Sequence, residues 1–225
     1  MKQQKGFFVS VLLFAIGLVG ILFAVISIGD RNSVDTNKRE YLKVVADLVL
    51  DQSLTISVAI PNHQKIYPPE DLVNINFSTT APHGLFSTDF KLSEIRSIQQ
   101  QYYRDSSPYA NYNNYSPSTA ASEYAAGSWR LNNNVNFSGG AVRTLAIIVP
   151  DIDEMLCGII NDKLWGANFI PPLMTESLST WAGPPNPISG SPSSTSVPIA
   201  FDSVREACAE SADNLLFYYR VITVL

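Results

Sequence analysis

An unbroken apolar run lies near the start of the chain. Residues 7–28 contain no charged residue and no proline. As an α-helix, a run of about 22 residues spans roughly 33 Å, which is the thickness of the hydrocarbon core of a bilayer. The pattern therefore predicts a transmembrane helix segment over residues 7–30. Lys2 and Lys5 precede the run, which predicts a cytoplasmic N-terminus and an exported remainder, because positive charge stays on the cytoplasmic side.

Two other interpretations of this run are open. A secretory signal has an apolar stretch of about 7–15 residues followed by small residues at the cleavage site, and the run here is longer. A buried core helix is the second alternative, although apolar helices of this length without a polar stripe are rare in soluble folds. A single membrane anchor explains the pattern best.

The helix is predicted to continue outside the membrane, over residues 31–60, as an amphipathic segment. Apolar residues recur there near helical spacing, with charged residues on the other faces. These apolar residues are Val34, Tyr41, Val44, Val45, Leu48 and Val49. No proline occurs before Pro61, so one helix is predicted from residue 7 to about residue 58. Its apolar stripe must pack on another element, and the following domain is the obvious partner.

Periodicity in the second half predicts three strands and a helix. β-Branched and aromatic runs typical of strands cover residues 127–133, 142–150 and 214–224. Asp151 is the predicted N-cap of the helix between the last two strands, and Glu154 completes a capping box. Gly166 is its predicted stop. The fold class is therefore α+β, with a small antiparallel sheet of about three or four strands packed on the long helix.

The other segments are predicted to be irregular. Proline, glycine, serine, asparagine and threonine are frequent in residues 61–89, 102–124 and 167–198. A short strand is predicted at 73–77 and a short helix at 92–103, with Ser93 as its N-cap. The segment 102–124 is also rich in tyrosine and could bind sugars, but a variable surface loop is the simpler interpretation.

Composition and charge argue against several classes of function. The net charge is −5, and no basic block follows the N-terminal lysines, so nucleic-acid binding is not expected. The two cysteines and two histidines lack the spacing of metal ligands, and no cofactor is expected. Motifs of serine hydrolases, P-loop and dinucleotide-binding proteins and zinc proteases are absent. No catalytic residue is assigned, and we do not expect an enzyme.

Two polar features leave alternatives open. Asp151, Asp153 and Glu154 lie close together in the sequence. They could hold Ca²⁺, but an acidic first turn also complements a helix dipole, and no metal site is assigned. His83 could act as a general base, yet no nucleophile motif accompanies it, so a surface histidine is the simpler interpretation.

The stretch KGFFVSVLLFAIGLVG, which starts at Lys5, resembles the start of type IV pilin-like proteins, a group that includes pilins, minor pilins and the pseudopilins of type II secretion. The resemblance implies a short basic leader over residues 1–6. A prepilin peptidase would cleave it between Gly6 and Phe7. It also implies that the mature helix packs against sister helices in a fibre.

One position departs from the family pattern. The family usually has glutamate at the fifth mature residue, where it neutralises the terminal amine of a neighbouring subunit, and this chain has Val11 there. A carboxylate in hydrocarbon is costly and needs such a partner. Some minor members at fibre tips also lack the glutamate. We assign Val11, Gly17 and Gly20 to the assembly helix.

The second half also resembles a subset of minor pilin-like proteins. CGIINDKLWG, from Cys157, matches their short helix with a cysteine followed by Ile-Asn, and CAESADNLLFYYRVITV, from Cys208, matches a cysteine before an aromatic last strand. Lone cysteines in an exported domain usually pair, so a Cys157–Cys208 disulfide is predicted if the head is exported. Two unrelated buried thiols are the alternative.

The expected protein is a non-catalytic minor pilin or pseudopilin-like subunit. One helix would hold it in the inner membrane, with a head of residues 61–225 in the periplasm or, in a fibre, at the cell surface. The expected partners are membrane lipid, other pilin-like subunits and a prepilin peptidase. The main alternative is a single-pass anchored binding domain outside the cytoplasm that does not assemble, and a tethered hydrolase is a third.

Overall fold

Helix α1, Thr36–Asn62, is the first element that the structure, a computed structural model, describes. The described residues are 36–62, 65–68, 74–80, 82–88, 90, 92, 100–104, 107, 109, 125–126, 129–137, 143–171, 176–182, 195–197 and 204–222. The chain divides into two units, Met1–Leu42 and Lys43–Leu225, and each is described by itself. Residues 36–42 are the described part of the first unit.

Within Lys43–Leu225, α1 buries one face. Its buried residues recur every three or four positions, as in an amphipathic helix. They are Val45, Ala46, Val49, Ser53, Ile56, Ala59 and Ile60. Val44 was predicted to belong to this stripe, but it is 63% exposed, so that part of the prediction is wrong. The helix also ends later than predicted and takes Pro61 into its last turn.

Among the described residues, α1 is the one helix long and apolar enough to cross a membrane, judged by length and composition. A core helix passes the same test, and residues 43–62 do bury a face in the head. The predicted membrane-spanning segment, residues 7–30, lies outside the described residues.

Within the described part of the chain, six strands form one sheet. They are β1 Ala125–Ala126, β2 Trp129–Phe137, β3 Arg143–Pro150, β4 Thr195–Val197, β5 Glu206–Glu210 and β6 Leu216–Ile222. The order is β1-β2-β3-β6-β5, and all these pairs are antiparallel. The short strand β4 lies parallel to the end of β2. The prediction of an α+β fold with a long helix and a small antiparallel sheet is confirmed.

The centre of the sheet follows the sequence closely. Every residue from 144 to 150 in β3 is buried, as expected for a continuous apolar strand between two neighbours.

Two other predicted elements differ in the structure. The strand predicted at 73–77 is not formed over its described part, where Asn76 makes an isolated bridge with Gly84. The described end of the helix predicted at 92–103 is a 3-10 turn, Gln100–Tyr102, and Ser93 lies outside the described residues.

Two segments predicted to be loops contribute to the core. Segment 167–198 contains helix α3, Leu178–Ala182, as well as β4. The Trp181 ring of α3 lies 5.2 Å from that of Phe217, centroid to centroid. The start of segment 102–124 is buried too, at Tyr102, Tyr103 and Tyr109. The sequence predicts loops here because proline and serine flank α3, and asparagine lies among the tyrosines. The short apolar patterns between them are too brief to predict buried elements.

Helix α2, Glu154–Trp165, begins two residues later than predicted. Its N-cap is Asp153, whose carboxylate accepts hydrogen bonds from the N–H groups of Met155 and Leu156. The prediction of Asp151 as N-cap is wrong, since Asp151 is fully buried with a φ of 54°. Gly166 ends the helix in the left-handed conformation, with a φ of 67°, as predicted.

Candidate functional site

The predicted leader-cleavage residues, Gly6 and Phe7, and the predicted assembly-helix residues, Val11, Gly17 and Gly20, lie outside the described residues. Their roles stay predictions. The predicted disulfide is confirmed: Cys157 and Cys208, which are 51 positions apart in the sequence, are bonded, and their Cα atoms lie 5.3 Å apart. Both are fully buried.

Next to the disulfide, Asn161 binds strand β5 as another strand would. Its amide group donates to the Cys208 carbonyl and accepts from the Cys208 N–H, both at 2.8 Å. Its Nδ2 also donates to the Phe169 carbonyl at 2.7 Å. We call Cys157, Asn161 and Cys208 the α2–β5 clamp. One covalent bond and two hydrogen bonds fasten α2 to the same residue of β5.

The clamp protects the edge of the sheet. β5 is the last strand in the order of the sheet, and an unpaired edge can pair with a strand of another chain. Asn161 occupies the outward N–H and carbonyl of Cys208. Glu210 donates its N–H to the Pro171 carbonyl at 3.1 Å. Assembly through continuous strand addition at this edge is therefore disfavoured.

The acidic residues before α2 already have protein partners. Asp151 accepts a hydrogen bond from Arg104 Nε at 2.9 Å, across 47 positions of sequence. This hydrogen bond, with the charge attraction of Asp151, raises the pKa of Arg104. Asp153 caps the helix. These contacts favour the helix-start interpretation of the acidic cluster over a calcium site.

A polar cluster joins α1 to the sheet. The Tyr218 hydroxyl lies 2.5 Å from Ser53 Oγ on α1 and 2.6 Å from Glu206 Oε1 on β5. Arg220 donates to both oxygens of Glu206 at 2.7 Å. We call these four residues the Tyr218 cluster. Burial, together with the negative charge of Glu206, raises the pKa of Tyr218 well above its ordinary value of 10.0.

Beside this cluster an open groove of about 650 Å³ lies between the last turns of α1 and the end of β6. It is lined on the helix side by Leu54, Ser57, Val58, Pro61 and Asn62, and elsewhere by Lys65, Arg205, Glu206, Arg220, Val221 and Ile222. We call it the α1–β6 groove. Leu54 and Val58 are half exposed or more, at 51% and 60%. The groove thus offers an apolar wall next to cations.

His83 packs beside Tyr67 in the described structure. Its ring lies 5.6 Å from that of Tyr67, centroid to centroid, and its carbonyl accepts the N–H of Asn76 at 3.2 Å. The described residues contain no group of three or more potential metal ligands of the His, Cys, Asp or Glu type.

No protein-family model, curated protein or solved structure matches this chain. The likeness to pilin-like proteins therefore depends on the sequence segments and on the architecture. A long apolar helix joined to a small antiparallel sheet is compatible with that architecture.

Sequence reasoning found the disulfide but missed the other parts of the site. The Asn161 side chain stands four positions after Cys157 on α2, so the helical repeat could have placed both on one face. The sequence contains only a weak indication of the α1–β6 groove. Leu54 and Val58 are spaced by one helical turn on α1, but their residue types do not show that this face stays uncovered.

Proposed function

We propose that the chain is a non-catalytic, membrane-anchored subunit of a pilin-like fibre, either a minor pilin or a pseudopilin. In this proposal a prepilin peptidase removes residues 1–6, and the helix from Phe7 holds the subunit in the inner membrane. During assembly the same apolar helix is buried among sister helices, while the head stays in the periplasm or at the cell surface.

The observation that carries the proposal is the union of a long helix and a sheet in one packed unit. Residues 43–62 of α1 bury one face, and Ser53 of α1 contacts the Tyr218 hydroxyl on β6. The α2–β5 clamp then fixes α2 to the edge of the same sheet. This packing of residues 43–62 on the sheet supports the proposal, because it joins helix and sheet in one head.

Mass spectrometry of the N-terminus tests the proposal. The full chain is purified from membranes of a host with a prepilin peptidase and, as a control, from a host without one. We expect a chain that starts at Phe7 in the first host and an unprocessed Met1 start in the second. A Gly6→Leu variant serves as the matched control and should stay unprocessed in both hosts.

An intact Met1 start in the peptidase-bearing host would overturn the fibre-subunit proposal. It would instead support a single-pass anchored binding domain that does not assemble. The α1–β6 groove is the observation that favours this second candidate, since it joins an apolar wall to charged groups, as ligand sites often do.

A further inference from the structure

The α1–β6 groove and the turn of the β5–β6 hairpin lie at opposite ends of the hairpin. Ser53 of α1 is opposite Tyr218, near the start of β6, and Pro61 shares the groove with Ile222, at the end of β6. Helix α1 and strand β6 therefore run in the same direction. The groove lies at the far end of both, and the turn, residues 211–215, lies at the near end.

The two ends carry opposite charge. Three cations line the groove. Lys65 and Arg205 are exposed, and Arg220 is paired with Glu206. The apolar wall is formed by Leu54 and Val58. The groove is thus positive and partly apolar, in a chain whose net charge is −5.

The near end is acidic. It includes Glu210, which precedes the hairpin turn, and the exposed Asp213 within the turn, whose Oδ1 also accepts a hydrogen bond from the Leu178 N–H at 3.0 Å. The exposed Glu154 and Met155 at the start of α2 belong to it too. The start of α2 belongs to this end because the Ile152 N–H donates to the Leu216 carbonyl at 3.0 Å. We call Glu210, Asp213, Glu154 and Met155 the turn face. Arg104, a described cation near the turn face, is paired with Asp151.

We propose that the turn face of one copy of this chain docks into the α1–β6 groove of the next copy. The carboxylates meet Lys65 and Arg205, and Met155 contacts the apolar wall. Two different surfaces make the contact, so it is heterologous, and a repeated heterologous contact builds a ring or a filament. Because both surfaces lie along the direction of α1, the contact stacks heads along that direction.

This inference rests on the proposed function in placing the contact inside a fibre. It goes further by naming the second subunit, the two surfaces and their chemistry. Opposite charges at such an interface mainly set partner choice and encounter rate, and exposed charges are screened by salt. Stacking should therefore weaken as salt concentration rises.

Site-specific photo-crosslinking of the full chain in its host membrane tests the contact. A photoreactive phenylalanine analogue replaces Val58, which is 60% exposed in the groove. Isotope-labelled and unlabelled copies are mixed before irradiation. We expect a crosslink between copies that joins position 58 to a peptide containing residues of the turn face. A crosslink to another protein, or to a different surface of the second copy, would overturn the inference.

Charge exchange is the sharper test. Arg205→Glu and Glu154→Arg should each reduce the crosslinked fraction by at least about tenfold, since like charges then face each other at the contact. The double variant, which combines both exchanges in one chain, restores opposite charges across the contact and should recover most of the crosslink. Asp162→Arg, an exposed change elsewhere on α2, is the matched control and should leave the crosslink intact.

Thermal unfolding of each variant shows whether its head still folds. If both single variants lose the crosslink and the double variant does not recover it, while all heads are folded, the proposed contact is overturned.

The proposed function and the proposed contact can fail independently. A chain processed to Phe7 without the crosslink is a pilin-like subunit with another head contact. An unprocessed chain with the crosslink self-associates without being one.

Discussion

Asn161 is the residue that closes the open edge of the sheet. It is almost fully buried, and its amide satisfies both backbone groups of Cys208. Buried backbone groups that lose their partners cost about 1–3 kcal/mol each. A single side chain on α2 therefore makes the hydrogen bonds that a neighbouring strand would make with Cys208.

Asn161→Leu should lower the free energy of unfolding by about 3 kcal/mol, because it leaves the N–H and carbonyl of Cys208 without partners. Thermal or urea unfolding of the full chain in detergent measures the change. Asp162→Asn, at the adjacent exposed position, is the control and should change the value by less than about 0.5 kcal/mol. Equal effects of the two variants would contradict the role given to Asn161.

Tyr218 makes the stability of the head depend on alkaline pH. Its pKa is raised by burial, then by Glu206, so the folded chain keeps this proton at pH values where the unfolded chain releases it. The stabilisation is complete below about pH 10 and falls as the pH rises further, with a slope of up to about 1.4 kcal/mol per pH unit.

We expect the melting temperature of the full chain to fall steeply above about pH 10, where the tyrosines of the unfolded chain ionise. Tyr218→Phe should be less stable at neutral pH, where it loses the bonds to Ser53 and Glu206, but should show a shallower fall in alkali. Tyr41→Phe, at an exposed ring, is the matched control. Parallel curves for the wild type and Tyr218→Phe would rule out this linkage.

At the scale of elements, α3 is a five-residue helix held by tertiary contacts. A helix this short is not stable by itself. Trp181 anchors it through contacts with Phe217 and Tyr219, and its carbonyl accepts from Asn132 Nδ2 at 3.0 Å. The α3 segment thus covers one part of the sheet.

Trp181→Ala should destabilise the head by about 3–5 kcal/mol, because it removes a large buried ring from the core. Trp165→Ala, at a ring that is 54% exposed, should cost far less and serves as the control. Tryptophan fluorescence during urea unfolding follows both. Similar midpoints for the two variants would show that α3 is not anchored as described.

The disulfide joins two elements over a long stretch of chain. It restricts the unfolded chain by closing a loop of 51 positions, which is worth about 4 kcal/mol in the chain-entropy estimate. We therefore expect a double Cys157→Ala and Cys208→Ala variant to melt well below the wild type. A reductant should lower the wild-type melting temperature and leave that of the variant unchanged; a drop in both would point to another cause.

At the scale of the whole molecule, Val11 is the position where assembly can be tested. If copies stack along a fibre, Val11→Glu should be incorporated as well as the wild type or better, since the new carboxylate can neutralise the terminal amine of a neighbour. If the subunit caps a fibre or only anchors, the same change should disrupt it. The fraction of the full chain found in sheared fibres measures this, with Val11→Gln as the uncharged control.

Local patterns account for the parts of the fold that were predicted well. Strand β3 is a continuous apolar run. Helix α2 has apolar residues at helical spacing and is capped by Gly166. Both elements can therefore be predicted from residues close together in the sequence. The N-cap was misplaced by two residues because either aspartate suits a helix start. What excludes Asp151 is its tertiary setting: it is fully buried, has a φ of 54° and pairs with Arg104 across 47 positions.

By itself, the sequence determined the class of fold, helix α2, the strands β2, β3 and β6 and the Cys157–Cys208 pair, since these follow from periodicity, turn residues and the count of cysteines. Tertiary structure decided which face of α1 is covered, that Asn161 closes the sheet edge, and that α3 belongs to the core. It also decided that Lys65 and Arg205 share a groove with Leu54 and Val58. These depend on which distant segments meet, and the residue types of each segment do not encode that locally.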